Sequence, residues 1–142
     1  MFQSNMPKFF DTSEFPLFSN YLAGHEERLR SGKPFQDKYF VMQDGYQLVA
    51  CGGVDLKPDE RRANLVWGMV DNAKHRQGLG ETFLRFRLEM VQQFIPGGHI
   101  VLDTTQHSYG FFEKNGFVVK KITNDYYAPG MHRYDMISGA NG

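Results

Sequence analysis

Apolar positions along this chain change their period several times, and each change marks an element. From Asp11 the spacing is helical: Leu17, Tyr21, Leu22, His25 and Leu29 recur at three- and four-residue intervals, with Asp11 as a cap, Glu14 three residues on and Pro16 in the tolerated first turn. Gly32 and Pro34 end that run. Lys38 to Gln43 and Tyr46 to Asp55 are β-rich, and Asp44-Gly45 between them is a two-residue hairpin signal, which predicts an antiparallel pair. A turn at Lys57-Pro58-Asp59-Glu60 leads to a third strand, Ala63 to Val70, and completes a meander. Gly52 and Gly53, inside their strand, predict a bulge or the close approach of another group.

The clearest periodicity follows a glycine-containing loop. Leu84, Leu88, Val91 and Ile95 form one apolar stripe widened by Phe83, Met90 and Phe94, while Thr82, Arg85, Glu89, Gln92 and Gln93 take the other face, so this helix packs on a sheet. The i,i+4 pairs Glu81 with Arg85 and Arg85 with Glu89, worth only about 0.2–0.5 kcal/mol each, read as a solvated face. After Pro96-Gly97-Gly98 come a short strand, His99 to Thr104, a short helix, Ser108 to Asn115, closed by Gly116, and a strand, Phe117 to Thr123. A Pro129-Gly130 turn and a last strand, Met131 to Ile137, follow, with no repeat or low-complexity linker. The pattern predicts an α+β fold of mixed α/β type: a central, mostly antiparallel sheet flanked by helices.

Length and charge narrow the classes. The 142 residues suit one core, so a single domain over 1–142 is expected. Sixteen basic residues balance sixteen acidic ones, which removes the polycationic field that nucleic acid or an anionic membrane would call for. No basic-then-apolar leader opens the chain and no apolar run approaches the ~20 residues of a bilayer span, so a soluble, cytoplasmic protein is expected. The one cysteine, Cys51, set among Val49, Ala50 and Val54, reads as a buried thiol with no adjacent base. Five histidines lie scattered without metal-ligand spacing, so no metal is expected. Thirteen phenylalanines exceed what a core of this size needs, and some are expected to line a pocket.

The chemistry concentrates between Gly68 and Phe94. A strand ends near Val70, a loop carrying Gly78 and Gly80 follows, and the long helix opens at once. Glycine amides and the free N–H groups of a helix start converge there in a positive field, a cradle for an anion such as phosphate. The competing reading is a glycine-eased turn into a helix.

These residues carry a resemblance. Val70-Asp71-Asn72-Ala73-Lys74-His75-Arg76-Gln77-Gly78-Leu79-Gly80 resembles the acyl-coenzyme A pyrophosphate loop of the GNAT superfamily of N-acetyltransferases, Val-x-Pro-x-x-(Arg/Gln)-x-x-Gly-x-(Gly/Ala). Asn72 replaces the usual proline and His75 the usual arginine or glutamine. Phe111-Phe112-Glu113-Lys114-Asn115-Gly116-Phe117 resembles the family's Phe-Tyr-Glu-Lys-x-Gly-Phe, about 30 residues further on and in the right order.

The resemblance implies a sheet that splays between the strands ending at Val70 and Thr104, with the pantetheine arm of acetyl-coenzyme A in the gap. It implies backbone hydrogen bonds from Met69 and Val70 to pantetheine, and a pyrophosphate ringed by the amides of Arg76, Gln77, Gly78, Leu79, Gly80 and Glu81. Lys74, His75 and Arg76 are either rim charges or a solvated loop. It implies that the acceptor is an amine of a small molecule or peptide, and a homodimer stays open.

Direct attack requires that an amine lose its proton and that the thiolate leaving group gain one. The family's tyrosine for the second step is here Phe112. Tyr109, three residues earlier on the same helical face, is the substitute, or else a packing residue. Asp103, His107 and Asp71 are candidates for the base, Thr104, Thr105 or Gln106 for holding a water, and Tyr126 and Tyr127 for the acceptor pocket. Two other classes remain: a non-catalytic acyl-coenzyme A binding module of the same fold, and a structural domain whose loop binds nothing.

Overall fold

The computed structural model of the chain describes residues 1–31, 37–72, 75 and 78–138, without the side chain of Leu29. Its elements are helices α1 (Phe15–Ser31), α2 (Leu79–Phe94) and α3 (Tyr109–Lys114) and strands β1 (Asp37–Asp44), β2 (Gln47–Lys57), β3 (Arg62–Val70), β4 (His99–Thr104), β5 (Phe117–Ala128) and β6 (Met131–Ser138). One six-stranded sheet has the order β1-β2-β3-β4-β6-β5. Every pairing is antiparallel except β3 with β4. The α+β sheet expected from the sequence is therefore present. Gly32 and Pro34, read as the stop of the first helix, lie outside the described residues.

Two apolar clusters cover the two faces. On one, Leu84 and Val91 of α2 and the following Ile95 pack with Val54, Leu56, Ala63, Leu65, Ile100, Leu102 and Met136, and Tyr109 and Phe112 of α3 close the edge. On the other, Phe18 of α1 joins Phe2, Cys51 and Met69, with Phe10, Tyr39 and Trp67 around them. Much of the phenylalanine excess goes here: Phe2 stacks on Phe10 at 4.7 Å and on Phe18 at 5.3 Å.

Two local expectations are corrected. The hairpin turn is Gly45-Tyr46, closed by Asp44 opposite Gln47, because Gly45 is the residue that accepts a φ of 62°. The inward face of α1 is Phe18, Tyr21 and His25, while Leu17 and Leu22 are exposed. Its orientation is set by what it meets: Phe18 enters the aromatic cluster, and His25 and Arg28 bind the buried carboxylate of Asp37 on β1. The capping box of Asp11 and Glu14 forms as expected, around a 3-10 turn, Thr12–Glu14, that leads into α1.

Candidate active site

β3 and β4 pair only at their beginnings, Arg62 to Asn64 against His99 to Val101. Beyond that point each is held by its other neighbour, β3 by β2 and β4 by β6, and the sheet forks toward Val70 and Thr104. A groove of about 310 Å³ lies at the fork, lined by Asn64, Val66, Val101, Asp103, Arg133 and Asp135 among others.

The β3 lip presents a peptide group to the fork. Asp71 donates its N–H to the Val49 carbonyl, and the alternation of an antiparallel ladder then turns Met69 toward its partner Cys51 and Val70 away from β2. Met69, named with Val70 from the resemblance, thus has its backbone in the ladder and its side chain buried. The Val70 carbonyl accepts the Asn5 side-chain N–H at 2.9 Å and faces His75 Nε2 at 2.9 Å, so that nitrogen carries the proton.

Gly78 is the N-cap of α2, with φ 76° and no side-chain cap hydrogen bond. The first-turn amides of Leu79, Gly80 and Glu81 are left without intrahelical acceptors by helix geometry. Gly78 is required for its backbone conformation, since a Cβ there would meet nothing within 4 Å. Gly80 sits beside the Val70 side chain and the Phe111 ring of α3, 3.7 and 3.5 Å from where its Cβ would be. Phe111 thereby spans the fork on the α2 face. Glu81 pairs with Arg85 at 2.6 Å. Arg76, Gln77 and Lys74 lie outside the described residues.

On the α1 face, Phe9 spans the same fork, its ring edge-on to His75 at 5.2 Å and to His107 at 6.3 Å. Ile100 and Leu102 enter the α2 core, so Asp103 projects to the α1 face. Its carboxylate accepts the Tyr127 hydroxyl at 2.5 Å and lies 3.8 Å from Arg133. Burial and then Asp103 push the Tyr127 phenol far above its ordinary value. Glu14 is raised by burial, and by the charges of Asp11 and Asp103 against its hydrogen bond from Asp11. Glu14, in the turn that leads into α1, thus brings a second carboxyl group to the face where Asp103 sits between the neutral Tyr127 hydroxyl and the Arg133 guanidinium, an acidic partner that sequence spacing did not single out.

Other candidates are already engaged. Gln106 binds the Gly130 carbonyl and the His132 N–H, tying the loop after β4 to the β5-β6 turn, and buried Thr105 accepts the His107 N–H. Tyr109 stacks on Tyr134 at 4.4 Å and Phe112 stands edge-on to Phe117 at 5.8 Å, both against the α2 core. Tyr126 is exposed and lies under Arg133, 4.6 Å from its guanidinium carbon. Burial raises the Cys51 thiol, whose sulfur lies 3.5 Å from that of Met1. Among the described residues no group of three or more histidine, cysteine, aspartate or glutamate side chains is arranged to hold a metal, and no helix is long and apolar enough to cross a membrane.

The profile of the acetyltransferase (GNAT) family matches residues 2–117. A GNAT-family protein from Desulfovibrio desulfuricans superposes with a TM-score of 0.77 at 16% identity, over 97% of this chain and 87% of its own. The ribosomal-protein-S18-alanine N-acetyltransferase from Escherichia coli gives 0.65 at 19% identity, over 82% and 79%. An aminoglycoside 6'-N-acetyltransferase solved with coenzyme A gives 0.66 at 14% identity, over 82% and 78%. At these identities the likeness is one of fold. Comparison with curated proteins gave no significant sequence match.

Proposed function

The chain belongs to the acetyltransferase (GNAT) family, and from that premise we propose that it transfers an acetyl group from acetyl-coenzyme A to a primary amine of a small molecule or peptide by direct attack. One observation carries the reading: an outward-facing Val70 peptide group at the fork, followed by the uncapped N-terminus of α2 at Gly78. The pantetheine arm lies along Val70, and the pyrophosphate meets the amides of Gly78, Leu79, Gly80 and Glu81, where the helix field favours an anion. Arg76 and Gln77 belong to the same loop by sequence.

The acceptor approaches from the α1 face. Glu14 and Asp103 bring two carboxyl groups to that side, against the guanidinium of Arg133, and so suit an alkylammonium. Asp103, held by Tyr127, orients the amine, and His107 at the neighbouring lip takes its proton as the general base. The amine nitrogen attacks the thioester carbonyl, the tetrahedral intermediate expels the coenzyme A thiolate, and Tyr109 supplies the proton that the family's tyrosine would have given. No metal takes part, and the protein works in the cytoplasm.

The test is a panel of monoamines, diamines and short peptides incubated with acetyl-coenzyme A and read by mass spectrometry for the gain of an acetyl group. A second reading, binding of acyl-coenzyme A without turnover, is favoured by Phe112 at the tyrosine position. Coenzyme A binding with no acetylated product across the panel would support it.

A further inference from the structure

Arg87 is the least expected residue of the fold. It lies in the middle of α2 on the inward face, is 4% exposed, and points into the sheet between β2 and β3. No carboxylate answers it among the described residues: the titratable groups that act on it are the neutral Tyr39, Cys51 and Tyr21, the Phe83 ring lies 5.7 Å from its guanidinium carbon, and its Nε is buried without a partner. Its Nη2 donates to the Gly53 carbonyl at 2.8 Å and to the Val66 carbonyl at 3.1 Å. Glycines make the slot. A Cβ on Gly52 would stand 2.9 Å from the guanidinium carbon, and one on Gly68 only 2.4 Å from Nη1. Burial pulls the guanidinium down to about 10, which still leaves it charged at neutral pH.

The carbonyls it holds have a special position. Gly53 faces Val66 in the register, but two residues back along β2 Cys51 faces Met69, three residues further along β3. β3 therefore carries one extra residue immediately after the pair that Arg87 binds, a bulge at which Trp67 takes φ 45°. The bulge changes the face of everything beyond it. Leu65 and Met69, an even number apart, would share a face in a regular strand, yet Leu65 lies in the α2 core and Met69 in the opposite one. Without the extra residue Val70 would oppose Val49, whose carbonyl points at β3, and its own N–H and C=O would be spent in the ladder.

We infer that Arg87 is a positioning residue for the cofactor arm: by clamping the Gly53 and Val66 carbonyls it fixes the bulge that turns the Val70 peptide group into the fork. Arg87 stands seven residues after Gly80 on one rigid helix, so the same clamp sets the spacing between the Val70 peptide and the amides at the start of α2. The inference rests on the proposed use of Val70 by pantetheine.

Calorimetric titrations of Arg87→Met, Arg87→Lys and the parent protein with coenzyme A and with 3'-phospho-ADP, its nucleotide lacking the pantetheine arm, provide the test. Arg87→Met keeps the volume and removes both donors. It should weaken coenzyme A about tenfold, the equivalent of one hydrogen bond of about 1.4 kcal/mol, and leave 3'-phospho-ADP within about twofold. Arg87→Lys, which keeps the charge but reaches one carbonyl, should fall between the two and carries the test should Arg87→Met not fold. Equal weakening of both ligands would make Arg87 a merely structural residue and overturn the inference, as would unchanged coenzyme A affinity in a folded variant. Failure of the parent protein to bind coenzyme A would instead remove the proposed function, and this inference with it.

Discussion

Asn5 and Val70, sixty-five residues apart, are joined by a hydrogen bond of 2.9 Å from the Asn5 amide to the Val70 carbonyl. The acceptor also receives His75 Nε2, so both of its lone pairs are taken. Asn5 is buried, and its amide also reaches the Met1 carbonyl, which fixes the segment across the β3 lip. A pantetheine N–H that binds Val70 must displace one of these donors. Asn5→Ala should therefore tighten coenzyme A by about threefold to tenfold while lowering stability by about 0.5–1.5 kcal/mol. Titration calorimetry and thermal melts measure the two effects. Unchanged or weaker affinity would remove the Val70 carbonyl from the cofactor site.

Gly78→Asp places a side chain on a backbone at φ 76° and a negative charge in front of the α2 amides. At 100 times its dissociation constant, coenzyme A should stabilise the parent protein by about 2.7 kcal/mol. The variant should lose that thermal shift and also melt earlier, because the left-handed conformation costs about 1–2 kcal/mol outside glycine. A full shift in the variant would mean that coenzyme A binds elsewhere.

Tyr109 stacks on Tyr134, so Tyr109→Phe preserves the ring contact and deletes only the hydroxyl. If that hydroxyl protonates the leaving thiolate, kcat should fall by tenfold or more with little change in the KM for acetyl-coenzyme A. Phe112→Tyr in the same background should restore part of the rate. An unchanged kcat in Tyr109→Phe assigns the proton to solvent or to another group.

Glu14 is an acid raised by burial and by its acidic neighbours Asp11 and Asp103, with the hydrogen bond from Asp11 opposing. Its folded state favours the protonated form, so the stability it contributes is full below the unfolded glutamate value of about 4.3 and is lost as pH rises through the folded value. Glu14→Gln keeps an acceptor for the Asp11 N–H and removes the charge. Urea unfolding should find the variant equal to the parent at pH 4 and more stable at pH 7. In the transfer assay it should raise the KM of a cationic amine without changing that of acetyl-coenzyme A. A variant less stable at pH 7 would contradict the sign.

Much of this fold can be read from the chain because α2 and the meander have strong, single-purpose patterns: Leu84 and Val91 have one sheet to face, and of the two readings of Gly52-Gly53 the close approach of another group holds at Gly52, where Arg87 enters, while the extra residue of the bulge is on β3. The parts that escaped are those in which polar groups decide. In α1 the spacing of Tyr21 and His25 matches the inward face, but Leu17 and Leu22 are exposed, and Phe18 with the ion pair to Asp37 sets that face. Met1 to Phe10 has no periodicity at all, yet Phe2 and Asn5 are buried and Phe9 crosses the fork. Arg87 was legible in principle, being a charge between Leu84 and Val91 on the inward stripe with small Gly52 and Gly68 on the strands opposite. Asp103 and His107 are candidates from their place at the end of β4, while Glu14 comes near Asp103 only through folding.

The central claim is that this chain moves an acetyl group from acetyl-coenzyme A to an amine, and continuous detection of free thiol under saturating acetyl-coenzyme A tests it most directly. Thiol release should require an added amine, increase with amine concentration to saturation, and match acetylated product mole for mole. Coenzyme A that binds at the fork while thiol release stays at the amine-free background for monoamines, diamines and peptides alike would contradict it.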